Sequence, residues 1–366
     1  MSAPGRPKRE SFERQREGSP VSCGVDEARR RLLLAAAAGT MAAPLRAQPS
    51  WPYPTLDGKP PKVIAHRGAS GYRPEHTLAA YELAIEQGAD FIEPDLVVTR
   101  DGVLIARHEN ELSLTTDVAR RPQFAARRRT QRIDGKDATG WFSEDFTLEE
   151  IRSLRATERF AAERPRNAGL DGRYGIVTFE EVVSLVARAN ESGQRRIGVY
   201  PELKSAEHFA SIGLACEPRL AEALKAARRH GDLPVWVQSF ELPALRRFAE
   251  LAGSPRVMLL ARTPSEAQLR ELAGLVQGIG VAKSLVYPRT AQGALGEPSG
   301  LLRQAHDLGL SVHAWTFRSE DVFLPANLRG QPRRELELFF AAGVDGVFTD
   351  FPDTALAVRA ALSPPA

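Results

Sequence analysis

Cysteine is nearly absent from the 366-residue chain, which holds only Cys23 and Cys216. Cys23 lies in an expected export leader, so a processed chain would keep Cys216 alone. That excludes an intramolecular disulfide, whatever the redox compartment. Cys216, in GLACEP, is expected to be a buried helix-start residue without a partner, and Cys23 has no preceding apolar stretch of the kind a lipoprotein would show. A dinucleotide fingerprint is missing too, because GASGYRPEH after the first apolar run does not match G-x-G-x-x-G. No repeat of solenoid length is present. A large charge of one sign is also lacking. Of 49 basic and 46 acidic residues, nine and five fall in residues 1–47, leaving 40 against 41 in the remainder. Such balance excludes a nucleic-acid or anionic-membrane binder driven by bulk charge.

What the chain does have begins with that leader. Its earliest residues, rich in Arg, Glu, Ser and Pro, are expected to be disordered. Arg29-Arg30-Arg31 then precedes LLLAAAAGTMAA and PLRAQP. A charged region, a short apolar run and a small exit residue read as a signal peptide over 1–47, too short to span a membrane. The paired arginines point to the twin-arginine route, with cleavage expected after Ala47 and delivery to the periplasm or outside the cell. No stable membrane insertion is expected after cleavage.

From residue 48 to 366, strand-like runs alternate with segments of helical period. The strands read as KVIAHRG, FIEPDLVVT, VLIARHE, IGVYPELK, VWVQSF, RVMLLA, GIGVA, SVHAWTFR and VDGVFTD. The helices between them often end in glycine, and Thr178 with Glu181 fits a capping box. Alternation of this kind without a second compositional block predicts an α/β fold, a single (β/α)8 TIM barrel, over a doubly wound sheet. FIEPDLVVT and VLIARHE are joined by Arg100-Asp101-Gly102, which predicts a hairpin. Residues 113–146 are arginine-rich and lack a period, and are expected to form an insertion over one mouth of the barrel.

Several strands end in ionisable residues. His66 and Arg67 close the first, Glu93 and Asp95 lie in the second, His108 closes its hairpin partner, and Glu202 and Lys204 end IGVYPELK. One residue apart on a strand, Glu93 and Asp95 face the same side. Inside a barrel mouth they would repel unless a cation lay between them. With Glu202 as a third hard oxygen ligand, one divalent ion is expected, calcium, magnesium or manganese rather than a structural zinc. Any one of these residues alone has a duller explanation, such as a solvent-facing E-x-D or a surface ion pair. Their joint occurrence among apolar neighbours does not, because buried unpaired charge costs several kcal/mol. Two histidines, a metal and two cations suit phosphodiester cleavage: Arg67 and Lys204 on phosphate oxygens, one of His66 and His108 accepting a proton and the other donating one.

These residues resemble the signature of the glycerophosphodiester phosphodiesterases, most closely the periplasmic branch. The pattern HR, E-x-D, H appears as His66-Arg67, twenty-five residues, Glu93-Pro94-Asp95, twelve residues and His108, supported by GYRPEHTLAAY, YPELK, VHAWTFR and GVDGVFTDFPD. The resemblance implies a TIM barrel that hydrolyses a small-molecule glycerophosphodiester to sn-glycerol 3-phosphate and an alcohol. It implies Glu93, Asp95 and Glu202 as metal ligands, His66 and His108 as the acid–base pair, and calcium as the ion. Whether water or the substrate's own glycerol hydroxyl attacks first is left open. Trp315 and Phe317 are expected to wall the pocket, Glu75 and His76 to brace the first loop, and Asp350 to do the same from the last strand. The chain departs from the family at His108-Glu109, where relatives carry H-D, and at Leu112-Ser113-Leu114-Thr115-Thr116, where they carry L-D-R-T-T. Alternative readings are a phospholipase-like barrel acting on lipid and an exported binding protein of low activity.

Overall fold

The structure, a computed structural model, describes residues 51–191, 195–227, 231 and 233–364. The expected leader, its cleavage point and Cys23 lie outside the described residues. The first strand, β1 (Lys62–His66), pairs in parallel with β2 (Phe91–Glu93) on one side. Pro94 then interrupts the run, which resumes as β3 (Asp95–Val98) and turns back antiparallel as β4 (Leu104–Ala106). The expected hairpin is present: Thr99 N–H donates to the Val103 carbonyl at 3.0 Å across Arg100-Asp101-Gly102, and Gly102 takes φ +84°.

Between β4 and the next barrel strand the chain runs far out. This excursion spans 107–178, longer than the 113–146 expected, and it is not structureless. It contains a second hairpin, β5 (Arg129–Ile133) and β6 (Lys136–Gly140). Asp134 (φ 50°) and Gly135 (φ 77°) form its turn, an Asp-Gly signal of the kind that favours two-residue hairpins. Its polar, exposed strands carry no apolar alternation, so periodicity alone could not show them.

The barrel continues with β7 (Gly198–Val199) and β8 (Glu202–Leu203), two halves of one run parted by Tyr200-Pro201. Then come β9 (Val237–Ser239), β10 (Arg256–Leu260), β11 (Gly278–Ala282), β12 (Ser311–Phe317) and β13 (Gly346–Thr349). All neighbours from β8 to β13 pair in parallel, and β13 returns to β1. Counting β2/β3 and β7/β8 as one bent strand each, eight parallel strands close a ring among the described residues. Proline has no N–H for a ladder, which accounts for both interruptions. The Pro94 carbonyl still accepts from Glu202 N–H at 2.9 Å, so the ring holds across the bend.

A helix follows each ring strand: α1 (Leu78–Gln87), α2 (Phe179–Glu191), α3 (Cys216–Ala227), α4 (Leu242–Leu251), α5 (Glu266–Ala273), α6 (Leu301–Asp307), α7 (Pro332–Ala342) and α8 (Pro352–Leu362). The Thr178–Glu181 box opens α2, with reciprocal bonds of 2.8 and 3.1 Å. Cys216 starts α3, fully buried and free, as expected. No described helix is long and apolar enough to cross a membrane.

Ile64, Phe91, Tyr200, Val257 and Phe348 fill the interior of the ring, with Trp236 and Trp315 against them. Gly198 makes room for this plug, since a Cβ there would overlap the Phe91 ring. The interior is therefore filled by side chains, with the Tyr200 hydroxyl and His313 Nδ1 paired at 2.7 Å inside it, and the ionisable cluster lies at the mouth formed by the strands' C-terminal ends.

Candidate active site

Strand register assembles the site. His66 lies opposite Glu93 in the β1–β2 pair, and Asp95 lies opposite Glu202 in the β3–β8 pair. Four residues distant in sequence thus meet at one rim. One ligand oxygen from each of Glu93, Asp95 and Glu202 lies within 4.8 Å of the others, all three residues being buried. The charge this concentrates is only partly offset. Burial, then Asp95 and Glu202, push the Glu93 carboxyl well above its usual range. Burial also pushes Glu202 up, to about 8, with Asp95 adding to it against the opposing pull of Lys204. Burial works against ionisation of Asp95 as well, but Lys204, His108, Arg67 and a bond from His76 hold it ionised. Asp95 Oδ1 is buried without a hydrogen-bond partner. Three convergent carboxylates, one with an orphaned oxygen, fit a hard divalent cation.

The cations around this cluster are fixed by it. Arg67 sits in the left-handed region (φ 61°), which turns its side chain toward Asp95 Oδ2 at 3.2 Å and Glu75 Oε2 at 3.1 Å, while its N–H donates to Glu93 Oε2 at 2.9 Å. Lys204 Nζ lies 2.9 Å from Glu202 Oε1 and is nearly buried, so this is not a surface pair. His76, also at positive φ (56°), donates from Nε2 to Asp95 Oδ2 at 2.9 Å. Gln238, in β9, donates to Glu93 Oε1 at 3.1 Å.

Each candidate catalytic histidine has a carboxylate behind it. His66 Nδ1 lies 2.7 Å from Asp350 Oδ1, and His108 Nδ1 lies 2.5 Å from Glu109 Oε1. Asp350 stays ionised despite burial, held down by Arg318, His66 and Arg164. Glu109 likewise stays ionised, through His108 and Arg159. An ionised carboxylate only accepts, so both rings carry hydrogen on Nδ1 and leave Nε2 as the basic atom. Burial, then Arg67, lowers His66 to about 3 and His108 to about 4, so both rings are neutral near pH 7.

A cleft of about 400 Å³ opens over this rim. Of the eight residues singled out by sequence, His66, Arg67, Glu93, His108, Glu202 and Trp315 line it, and Asp95 and Lys204 lie behind them. Phe317 departs from expectation. It is buried against the Phe339 ring at 4.9 Å and does not wall the cleft. Two residues apart on a regular strand, Trp315 and Phe317 would share a face. The β12–β13 register shifts between Ala314 and Phe317, and such an irregularity breaks the alternation.

Sequence reasoning missed three contributors, Gln238, Arg318 and Arg159, and gave a fourth another role. Asp350, expected as a loop brace, orients His66 directly. Gln238 and Arg318 stand at strand ends already recognised, so their position was the available signal. Arg159 comes from the long excursion and bridges Glu75 and Glu109 with four contacts of 2.7–2.9 Å. Nothing in its local sequence marked it.

A solid parallel barrel with buried carboxylates flanked by two oriented imidazoles at its mouth defines a class of hydrolase built for phosphodiesters. The model of the Glycerophosphoryl diester phosphodiesterase family matches residues 66–354. The chain belongs to that family. It is 35% identical over 319 residues to an Arabidopsis thaliana glycerophosphodiester phosphodiesterase, covering 80% of this chain and 84% of the relative. A glycerophosphodiester phosphodiesterase of Haemophilus influenzae is 29% identical over 334 residues, covering 80% and 88%. Among solved structures, an Oleispira antarctica phosphodiesterase in complex with the product sn-glycerol-3-phosphate superposes with a TM-score of 0.56 at 23% identity, over 83% of this chain and 99% of that one. A glycerophosphodiester phosphodiesterase from Agrobacterium tumefaciens gives 0.53 at 21%, over 81% and 99%. At these identities the two structures speak for the fold, an eight-stranded α/β barrel.

Proposed function

We propose that the protein is an exported, metal-dependent enzyme that hydrolyses glycerophosphodiesters to sn-glycerol 3-phosphate and an alcohol. The observation that carries this reading is the meeting of Glu93, Asp95 and Glu202 at the cleft that His66 and His108 both line. Glu93, Asp95 and Glu202 would hold one divalent cation, calcium by the family resemblance, with magnesium and manganese as the other oxygen-loving candidates. When bound, such an ion supplies positive charge to a phosphoryl oxygen as negative charge develops there.

The remaining chemistry belongs to the chain. Arg67, on the cleft wall, holds a second phosphoryl oxygen, with Lys204 adding charge from behind. One imidazole Nε2 takes the proton from the attacking oxygen as the new P–O bond forms. The other delivers a proton to the departing alkoxide oxygen as its P–O bond breaks. A phosphodiester anion between the rings raises their proton affinity, which suits the donor role in a site that otherwise keeps both rings neutral. Trp315 forms an apolar wall beside the reacting group.

The test is release of glycerol 3-phosphate by the purified protein, with and without chelator, alongside His66→Ala and His108→Ala. Chelation should abolish release and restored calcium or magnesium should return it. Each alanine variant should lose at least about a hundredfold in kcat with its fold intact. Full turnover in excess chelator would remove the metal from the scheme.

A further inference from the structure

The cleft is larger than its reacting end needs. His66, Glu93 and Glu202 stand on β1, β2 and β8, one arc of the ring. The opposite arc, formed by the segments that follow β11 and β12 and by α7, contributes Lys283, Tyr287, Arg289, Arg318 and Glu335 to the same lining. Three cations here face one carboxylate. Lys283 Nζ lies 2.8 Å from both Glu335 oxygens, so that pair cancels. Arg318 gives Nε to Asp350 at 2.8 Å, and Arg164, which shares Asp350, also reaches Glu320 at 2.5 Å, so those four charges balance. Arg289 is different. It is pinned by the backbone carbonyls of Leu324 (2.8 Å), Phe323 (3.0 Å) and Gly293 (3.3 Å), and no carboxylate among the described residues forms an ion pair with it. Both arginines are near enough to Lys283 to oppose its charge, and Arg318 acts on His66 as well. The charge of the far wall left without an ion-pair partner among the described residues is therefore that of Arg289, which Glu335 feels at longer range, with Arg318 standing between it and the reacting end.

Three aromatic residues of the lining, Phe240, Phe323 and Tyr287, are already engaged and so do not join Trp315 in a cage for a cationic alcohol. Lys204 Nζ already stands 5.8 Å from the Phe240 centroid, and the Arg318 guanidinium lies 4.9 Å from that of Phe323. Tyr287 packs on Phe339 and donates its hydroxyl to the Leu338 carbonyl.

Building on the phosphodiesterase reading, we propose that this far arc binds the leaving alcohol, and that the enzyme favours diesters whose alcohol bears an anionic group over those bearing a quaternary ammonium. Arg289 is the principal specificity residue, Arg318 links it to the reacting phosphate, and Glu335 moderates the field by neutralising Lys283.

The experiment compares kcat/KM of the full chain, supplied with calcium, for three probes: glycerophosphocholine, glycerophosphoglycerol, and bis(glycerophospho)glycerol, whose leaving alcohol carries a second phosphodiester. The last should exceed the first by about tenfold or more at low ionic strength, and the ratio should shrink as salt is raised toward about 0.5 M. Arg289→Gln should lower the ratio by about tenfold, mainly through KM. Glu335→Gln leaves Lys283 uncompensated and should raise it. Because the two variants must move the ratio in opposite directions, simple loop damage cannot imitate the result. Equal or reversed preference in the wild type, or a ratio that both variants leave unmoved or shift alike, overturns the inference. Failure to cleave any of the three diesters overturns the functional reading beneath it.

Discussion

His66 Nδ1 and Asp350 Oδ1 lie 2.7 Å apart, joining the C-terminal ends of the first and last barrel strands. Asp350 also accepts from Arg164 Nη2 at 2.6 Å and Arg318 Nε at 2.8 Å, so its ionised state is held from three sides. Its effect on His66 is to fix the tautomer with Nε2 unprotonated.

Asp350→Asn should therefore cost kcat about a hundredfold or more with little change in KM, because the amide can turn its NH2 toward Nδ1 and impose the wrong tautomer. Asp350→Ala leaves the ring free to choose and should lose no more than the asparagine variant. Steady-state kinetics with thermal melts as a fold control decide the matter. An alanine variant that loses more than asparagine, in step with lost stability, would mark Asp350 as a brace only.

The carboxylate cluster gives a prediction that does not depend on turnover. Burial and mutual repulsion keep Glu93 and Glu202 from ionising readily in the absence of a cation. A bound divalent ion removes that penalty, so calcium or magnesium should raise Tm. At a hundredfold excess over Kd the gain is about 2.7 kcal/mol, on the order of 5 °C for a domain of this size. Glu93→Gln preserves the side-chain shape and should keep the metal-free Tm within a few degrees while losing most of the metal-induced rise. Differential scanning fluorimetry with metal titration measures both. An undiminished rise in the variant would take Glu93 out of the ligand set.

How far the sequence leads differs between fold and site. Apolar runs broken by helical segments pointed to the barrel because ring strands buried on both faces are continuously hydrophobic. The same logic located His66, Glu93, Asp95, His108 and Glu202, since charge at the end of such a run stands out. It could not reveal Arg159, which reaches Glu75 and Glu109 from a stretch where arginine is common and no period exists. Nor could it separate Trp315 from Phe317. Spacing puts both on one face, and only the register shift and the packing against Phe339 assign the second to the core. The β5–β6 hairpin was concealed for a third reason, because strands exposed on both faces carry no hydrophobic alternation.

At the opposite end of the barrel from the cleft, Asp345 ties three segments together and supplies the pH-dependent prediction. Its Oδ1 accepts from Leu56 N–H at 2.6 Å, and its Oδ2 accepts from Val312 N–H at 2.7 Å and meets His306 Nε2 at 2.8 Å. Burial opposes ionisation, but the His306 contact and the two N–H donors hold its carboxyl below the usual range. A carboxyl depressed by folding contributes stability that is present above its unfolded pKa, about 3.9, and is lost as pH falls through the folded value. Asp345→Asn keeps the shape but forfeits the charge-assisted bonds, so it should cost about 2–3 kcal/mol at pH 7. The stability gap between wild type and variant should narrow as pH drops below about 4, where the wild-type carboxylate begins to be protonated as the chain unfolds. Catalytic constants, measured where both proteins are folded, should be unaffected because Asp345 lies at the far end of the strands from His66. Urea unfolding at a series of pH values gives the gap directly. A gap that stays constant down to about pH 2 would mean that the stabilisation is steric and not electrostatic.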